Sequence, residues 1–249
     1  MNDSDQHLNK NLLSQFDNTP TTSEQQSLMF AFSARSGSTV ITSSWAKLGL
    51  AKEITEIFNP RAPVQNLLRR LGGENINDYL NNVHGACMYS DKLIFKTSYP
   101  DFLPVSRRGL VDKLLPGLSV VYIERKDKVL QAVSVYKAIL SNQWHKKSSD
   151  EFTTDISVDQ PIDLKKISKF VGNFENESKK WRKFFSEQGI EPIQVWYEDF
   201  DQAPERTLQA VYSKLVGTEC TERVELSHKK LRDEVSLCWA ERVRDYLAQ

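Results

Sequence analysis

The chain has 249 residues, and its 33 basic and 33 acidic side chains leave no net field to draw nucleic acid or an anionic membrane to it. With 39% hydrophobic and 27% charged residues it has the make-up of an ordinary globular protein, at a length that one large α/β domain can fill. No apolar run approaches the length of a bilayer span, and the amino terminus lacks the basic flank and apolar stretch of a signal peptide, so a cytoplasmic location is expected.

Met1 to Ser27 is rich in Asn, Ser, Thr, Gln and Asp and reads as a polar, flexible arm (residues 1–27) ahead of a single domain (residues 28–249). Leu28 to Ser33 predicts a short buried strand, the Ala34-Arg35-Ser36-Gly37-Ser38 turn comes next, and Thr39 to Leu48 predicts a helix. Leu67 to Leu71 and Asp78 to Val83 read as helical, and Lys92 to Thr97 as a strand. Leu118 to Glu124 (LSVVYIE) is the strongest strand pattern, succeeded by a polar turn and a helix from Val129 to Leu140. The stretch from Lys146 to Pro161 is polar and reads as a long loop or lid, of the kind that is uncommon without a function. A helix from Leu164 to Gln188, a strand at Ile193 to Tyr197, and helical periodicity over Thr207 to Leu215 and Arg223 to Leu247 complete the chain. Cys87, Cys220 and Cys238 are odd in number and have neither CxxC nor zinc-ligand spacing, which fits small buried hydrophobes in a reducing compartment.

Strands alternating with helices imply βαβ units, hence an α/β fold with a parallel sheet and helices on both faces. Ligands of such sheets bind beyond the carboxyl ends of the strands. Arg35, Lys96, Arg125 and Glu198 each lie at or just past the end of a predicted strand, so they are expected to meet on one edge. The Arg35-Ser36-Gly37-Ser38-Thr39 segment joins strand to helix in small residues, leaving the first helical N–H groups free to point at an anion. Gly37 permits close approach, the three hydroxyls can donate, and Arg35 adds a fixed charge. A serine-capped helix start with a turn glycine would look the same from this segment alone. The P-loop pattern GxxxxGK[ST] would need glycine at Phe32 and lysine at Ser38, so the lysine that reaches the terminal phosphates of ATP or GTP is missing. No carboxylate cluster for a metal is evident. Sulfuryl transfer, which moves a less charged group than phosphoryl transfer, can proceed without magnesium.

Four blocks in order carry a resemblance: FSARSGSTVITSSWAKLGLAKEITEIFNP near the start, ERKDKVLQAVSVYKAILSNQW from Glu124 to Trp144, WRKFFSEQGIEPIQVWYEDF from Trp181 to Phe200, and LRDEVSLCWAERVRDY at the end, with Asp233, Trp239 and Arg242 in familiar positions. From about Leu28 to Tyr246 the chain resembles the bacterial trehalose 2-sulfotransferase family and its relatives that sulfate carbohydrates. The resemblance implies a P-loop-like sulfotransferase fold and the donor 3′-phosphoadenosine 5′-phosphosulfate (PAPS), used without a metal. It implies that Arg35, Ser36, Gly37, Ser38 and Thr39 hold the 5′-phosphosulfate, with Arg35 stabilising the leaving oxygen, and that Arg125 and Ser134 hold the 3′-phosphate. It implies Glu56 as general base toward the acceptor hydroxyl, with Glu53 as competitor, and Lys96 as a group that orients acceptor or sulfuryl. The acceptor it implies is a sugar or glycolipid, and it also suggests a homodimer.

The chain departs from the family pattern at Ala34 and Ile54, where proline is usual, at Ile57, where tyrosine is usual, and near Lys96, where glycines are absent. These changes touch the acceptor side more than the donor side. A small-molecule kinase using the same cradle and an inactive nucleotide-binding module are the alternatives. His84 and His145 lie in no marking motif, and Trp144, Trp181, Trp196 and Trp239 read as core.

Overall fold

The structure, a computed structural model, describes residues 26–51, 54–59, 83, 87–89, 92–142, 156–219 and 233–249. Five strands form one sheet in the order β2-β3-β1-β4-β5. They are β1 (Gln26–Phe32), β2 (Met88–Tyr89), β3 (Lys92–Ser98), β4 (Ser119–Glu124) and β5 (Ile193–Trp196). β3, β1, β4 and β5 run parallel, and β2 is an antiparallel edge on β3. The parallel strands are apolar on both sides because both of their faces are covered.

The two faces sort by residue parity, as the pleat requires. Met29 and Ala31 of β1, Phe95 of β3 and Tyr122 of β4 face one layer with Phe102, Trp181, Phe184 and Phe185. That layer is built from α2 (Tyr99–Arg107), the short α3 (Val111–Leu114) and the long α5 (Leu164–Glu187). Leu28, Phe30, Val121 and Ile123 face the opposite layer, with Ile41, Trp45, Leu208 and Val211. Those side chains come from α1 (Ser38–Trp45) and α7 (Pro204–Val216). A third cluster packs α4 (Lys128–Ser141) and α5 against α8 (Glu234–Leu247) through Val133, Tyr136, Ile167 and Trp239. α6 (Tyr197–Gln202) continues directly from β5.

The expected strands and most helices therefore form, on a parallel sheet covered on both faces. Trp181 and Trp239 are core side chains, in line with the sequence pattern. α1 ends at Trp45 and runs into a π-helical turn, Ala46–Leu50, where Gly49 has φ 73°. The carboxyl-terminal helix is described over Glu234–Leu247, capped by Asp233, and the readings over 1–25, 67–71, 78–82, 146–155 and 223–232 lie outside the described residues. α2 is hidden in the sequence by Pro100 and Pro104. Pro100 falls in the first helical turn, where no donor is lost, and packing of Phe102 and Val105 into the core carries the second proline.

Candidate active site

β1 lies at the centre of the sheet, with β3 on one side of it and β4 on the other. Register aligns Phe32 with Ser98 and Ile123, and Glu124 with Trp196, so all four parallel strands end along one line. The segments that leave those strand ends therefore share a common edge, the place where such sheets hold ligands.

The turn after β1 is the most constrained piece of that edge. Arg35 has φ 61° and Gly37 φ 81°. A left-handed arginine costs about 1–2 kcal/mol and persists only where its surroundings over-determine it. Here its Nε donates to Ser134 Oγ on α4 at 2.9 Å, and its carbonyl accepts from Arg125 Nη1 at 3.4 Å. Gln131, one turn before Ser134, donates from Nε2 to Ser33 Oγ at 2.8 Å and to the Ala34 carbonyl at 2.7 Å. Trp181 Nε1 donates to the Phe32 carbonyl at 3.4 Å, fixing the root of the turn from the other layer.

α1 starts without a side-chain cap and without an acidic residue in its first turn. By contrast α4, α5 and α8 each begin on an aspartate whose carboxylate accepts an amide of the first turn. Ser36 is fully buried, and its Oγ has no hydrogen-bond partner. An uncapped positive helix end beside a buried, unpartnered hydroxyl is an arrangement that an anion completes.

Two guanidiniums face this spot. Burial first, and then the like charge of Arg125, pulls the Arg35 guanidinium below its ordinary value, with Tyr197 opposing. Arg125 is only 8% exposed and stacks over the Tyr197 ring at 4.8 Å, with its Nε 3.7 Å from Glu198 Oε1. The Glu198 carboxylate also accepts the amides of Lys126 at 2.9 Å and Asp127 at 3.3 Å, so it holds the turn that carries Arg125. A like-charged pair in a half-dry setting favours a bound anion over solvent.

Gly37 admits no substitution here. A Cβ would lie 2.2 Å from Tyr197 Cδ2, and the backbone is left-handed besides. Gly37→Ala is expected to lower stability by about 1–3 kcal/mol, read as a fall of several degrees in Tm, and to push Tyr197 away from Arg125.

Glu56 reaches the same edge through Lys96, which lies inside β3, short of its end at Ser98 and not past it as the sequence pattern suggested, and is 7% exposed. Its Nζ donates to Thr39 Oγ1 at 3.1 Å and lies 3.8 Å from Glu56 Oε1, an ion pair longer than a hydrogen bond. Burial pulls the Lys96 ammonium below its usual value, and Glu56 opposes that by its charge. Glu56 Oε2 accepts from Asn59 Nδ2 at 2.6 Å. Arg35, Ser36, Gly37, Ser38, Thr39, Arg125, Ser134, Lys96 and Glu56 are thus connected at one edge, with Glu198 among them. Glu53, His84 and His145 lie outside the described residues. Tyr197, Gln131 and Asn59 are not marked by the sequence pattern, although Gln131 stands one helical turn from Ser134 and Tyr197 abuts Glu198.

A further carboxyl sits on α5, one turn before Trp181. Glu177 Oε1 accepts from the Tyr99 amide at 3.3 Å. Burial chiefly raises this carboxyl from 4.5 to about 7; the Tyr99 amide opposes, Asp101 adds to it, and Lys128 and Lys180 oppose. The folded state therefore takes up a proton that the unfolded chain has lost, and this contribution to stability is present below 4.5 and disappears as pH rises through 7. Glu177→Gln is expected to gain stability over the parent between pH 5 and 8, by about 2 kcal/mol, seen as diverging denaturation midpoints across that range.

Among the described residues no group of three or more His, Cys, Asp or Glu side chains is placed to hold a metal, and no helix is long and apolar enough to cross a membrane. Residues 81–246, more than half of the chain, match the Stf0 sulphotransferase family. The crystal structure of a sulfotransferase from Alicyclobacillus acidocaldarius superposes with a TM-score of 0.53 at 12% identity, over 90% of this chain and 92% of that one. At that identity the likeness speaks for the fold alone. Comparison with curated proteins gave no match. The cradle and Glu56 precede the matched residues, whereas Lys96, Arg125 and Ser134 lie within them. With the family's sequence pattern laid on a sheet folded like a sulfotransferase's, the chain belongs to the Stf0 sulphotransferase family.

Proposed function

We propose that this sulfotransferase takes the sulfuryl group from PAPS and places it on a hydroxyl of a carbohydrate or glycolipid, without a metal. The observation that supports the donor assignment is the meeting of Arg35, Arg125 and Ser134 at the uncapped start of α1, where two neighbouring cations and a hydroxyl can receive the anionic groups of a donor. The residues fit such a donor: Ser36 Oγ lacks a partner, Gly37 gives the turn its left-handed backbone against the Tyr197 ring, and the two guanidiniums repel each other until an anion joins them.

When bound, PAPS supplies a sulfuryl group already joined to a phosphate that leaves readily. The amides at the start of α1, the hydroxyls of Ser36, Ser38 and Thr39, and the Arg35 guanidinium then face the leaving oxygen, where preorganised donors count most. Arg125 provides a two-pronged cation for the 3′-phosphate, and Ser134, which accepts from Arg35, keeps its own hydrogen to donate. Glu56 takes the proton of the acceptor hydroxyl. Lys96 stands between base and cradle and keeps the carboxylate and Thr39 in fixed relation. A kinase on the same scaffold would lack a lysine in its phosphate loop, since Ser38 occupies that place. The reading carries with it a cytoplasmic setting and a homodimer.

Incubation with radiolabelled PAPS and a panel of sugars and glycolipids, in chelator, tests the reaction. Acceptor-dependent formation of 3′-phosphoadenosine 5′-phosphate and a labelled product is expected. Transfer from ATP with magnesium, and none from PAPS, would replace the reading with the kinase.

A further inference from the structure

Glu56 has two carboxylate oxygens, and the structure gives them different neighbours. Oε1 lies 3.8 Å from Lys96 Nζ. Oε2 is held by Asn59 Nδ2 at 2.6 Å. The amide must present its NH2 and not its carbonyl, because a carbonyl oxygen at that distance from a carboxylate would only repel it. Asn59 is itself fixed, since its backbone amide donates to the Glu56 carbonyl at 3.2 Å and closes a tight turn. Ile57, in the middle of that turn, is 2% exposed and belongs to the core beside β3. Phe58 packs edge-on to Phe95 at 5.5 Å between ring centres and meets Phe102 at 6.3 Å. The Thr55 carbonyl accepts from the Lys96 amide at 3.0 Å. A short irregular segment is thus riveted to β3 on either side of the carboxylate, the support that a base on a loop needs to keep its aim.

We propose that Asn59 is the positioning residue of the acceptor base: its side-chain amide occupies Oε2 of Glu56 and leaves Oε1, the oxygen facing Lys96 and the cradle, to receive the acceptor's proton. This rests on the reading of Glu56 as general base. In the step so arranged, the acceptor O–H bond breaks and its proton joins Oε1. The freed electron pair forms the new O–S bond, and the bond from sulfur to the bridging oxygen breaks, its electrons passing to the departing phosphate. Asn59 touches neither reactant and acts only by denying the proton the wrong oxygen and by stopping rotation of the carboxylate. The Ile57 side chain is buried in the core, so the turn is held by packing on one side and by the Asn59 amide on the other.

The test compares single-turnover sulfuryl transfer in the full chain for Asn59→Ala, Asn59→Asp, Glu56→Gln and the double variant Glu56→Gln/Asn59→Ala, alongside calorimetric affinity for 3′-phosphoadenosine 5′-phosphate and Tm. The expected result for Asn59→Ala is a loss of about 10- to 100-fold in the transfer rate with nucleotide affinity within about twofold of the parent. Asn59→Asp, which keeps the shape but has no hydrogen to donate, should lose at least as much. In the Glu56→Gln background the further change at Asn59 should have no effect beyond about twofold, because a residue that acts through Glu56 has nothing left to act on. An Asn59→Ala variant as fast as the parent, or one that loses the same factor with and without Glu56, overturns the positioning role while the base assignment stands. A Glu56→Gln variant as fast as the parent overturns the base assignment itself, and the positioning role with it.

Discussion

Arg125→Ala is expected to weaken binding of 3′-phosphoadenosine 5′-phosphate by about 100- to 1000-fold while leaving ADP affinity nearly unchanged. Loss of one partner from a charge-assisted, largely desolvated contact typically costs about 2–5 kcal/mol, and every 1.4 kcal/mol is about tenfold in affinity. The discrimination between the two nucleotides is the sharper readout, because only one of them carries a 3′-phosphate. Arg125 is 8% exposed, braced by the Tyr197 ring and by Glu198, so its guanidinium is aimed before any ligand arrives. Its replacement removes one cation from the pair but leaves Glu198 bonded to the amides of Lys126 and Asp127, so the turn itself should survive and Tm should change little. Ser134→Ala removes a neutral hydroxyl from the same place and should cost about tenfold. The double variant should lose less than the product of the two, since both residues grip one group.

Glu56→Gln is the second large effect. The amide keeps the shape of the carboxylate and can still meet Asn59, but it cannot accept the acceptor's proton, so the rate of transfer should fall by about 100- to 10,000-fold. Nucleotide affinity should stay within about twofold, because among the described residues Glu56 reaches the cradle through Lys96 and Thr39. The replacement also takes away the Glu56 charge that offsets burial at Lys96, so that ammonium should deprotonate at lower pH in the variant than in the parent. The corresponding change at Glu53 should leave transfer near its parent value if Glu56 alone is the base.

The sheet is legible because its strands are buried on both faces and so appear as continuous apolar runs, LSVVYIE above all. The meeting of Arg35, Arg125 and Glu198 is legible for a related reason. Each comes just after the carboxyl end of a parallel strand, and topology alone brings such residues together. Local rules could not show Tyr197 under Gly37, since that contact depends on how β5 ends beside the start of α1. Nor could they show Asn59 beside Glu56, because a turn held by Ile57 and Phe58 in the core has no period to read. α2 escapes such rules because two prolines within six residues argue locally against a helix that its core contacts nevertheless form. β2, two residues long and antiparallel, leaves no alternation to detect. Gln131 is nearer to hand: it shares the block with Ser134 and the same helical face, and only its attachment to Ser33 and Ala34 needs the fold.

The donor site is tested most directly by calorimetry of the unmodified protein, without added metal, against 3′-phosphoadenosine 5′-phosphate, ADP and ATP. Arg35, Arg125 and Ser134 at the mouth of α1 predict that the first binds at least about 100-fold more tightly than ADP and that magnesium changes nothing. Equal affinity for the first two, or tighter binding of ATP once magnesium is added, would contradict a site built for a 3′-phosphate.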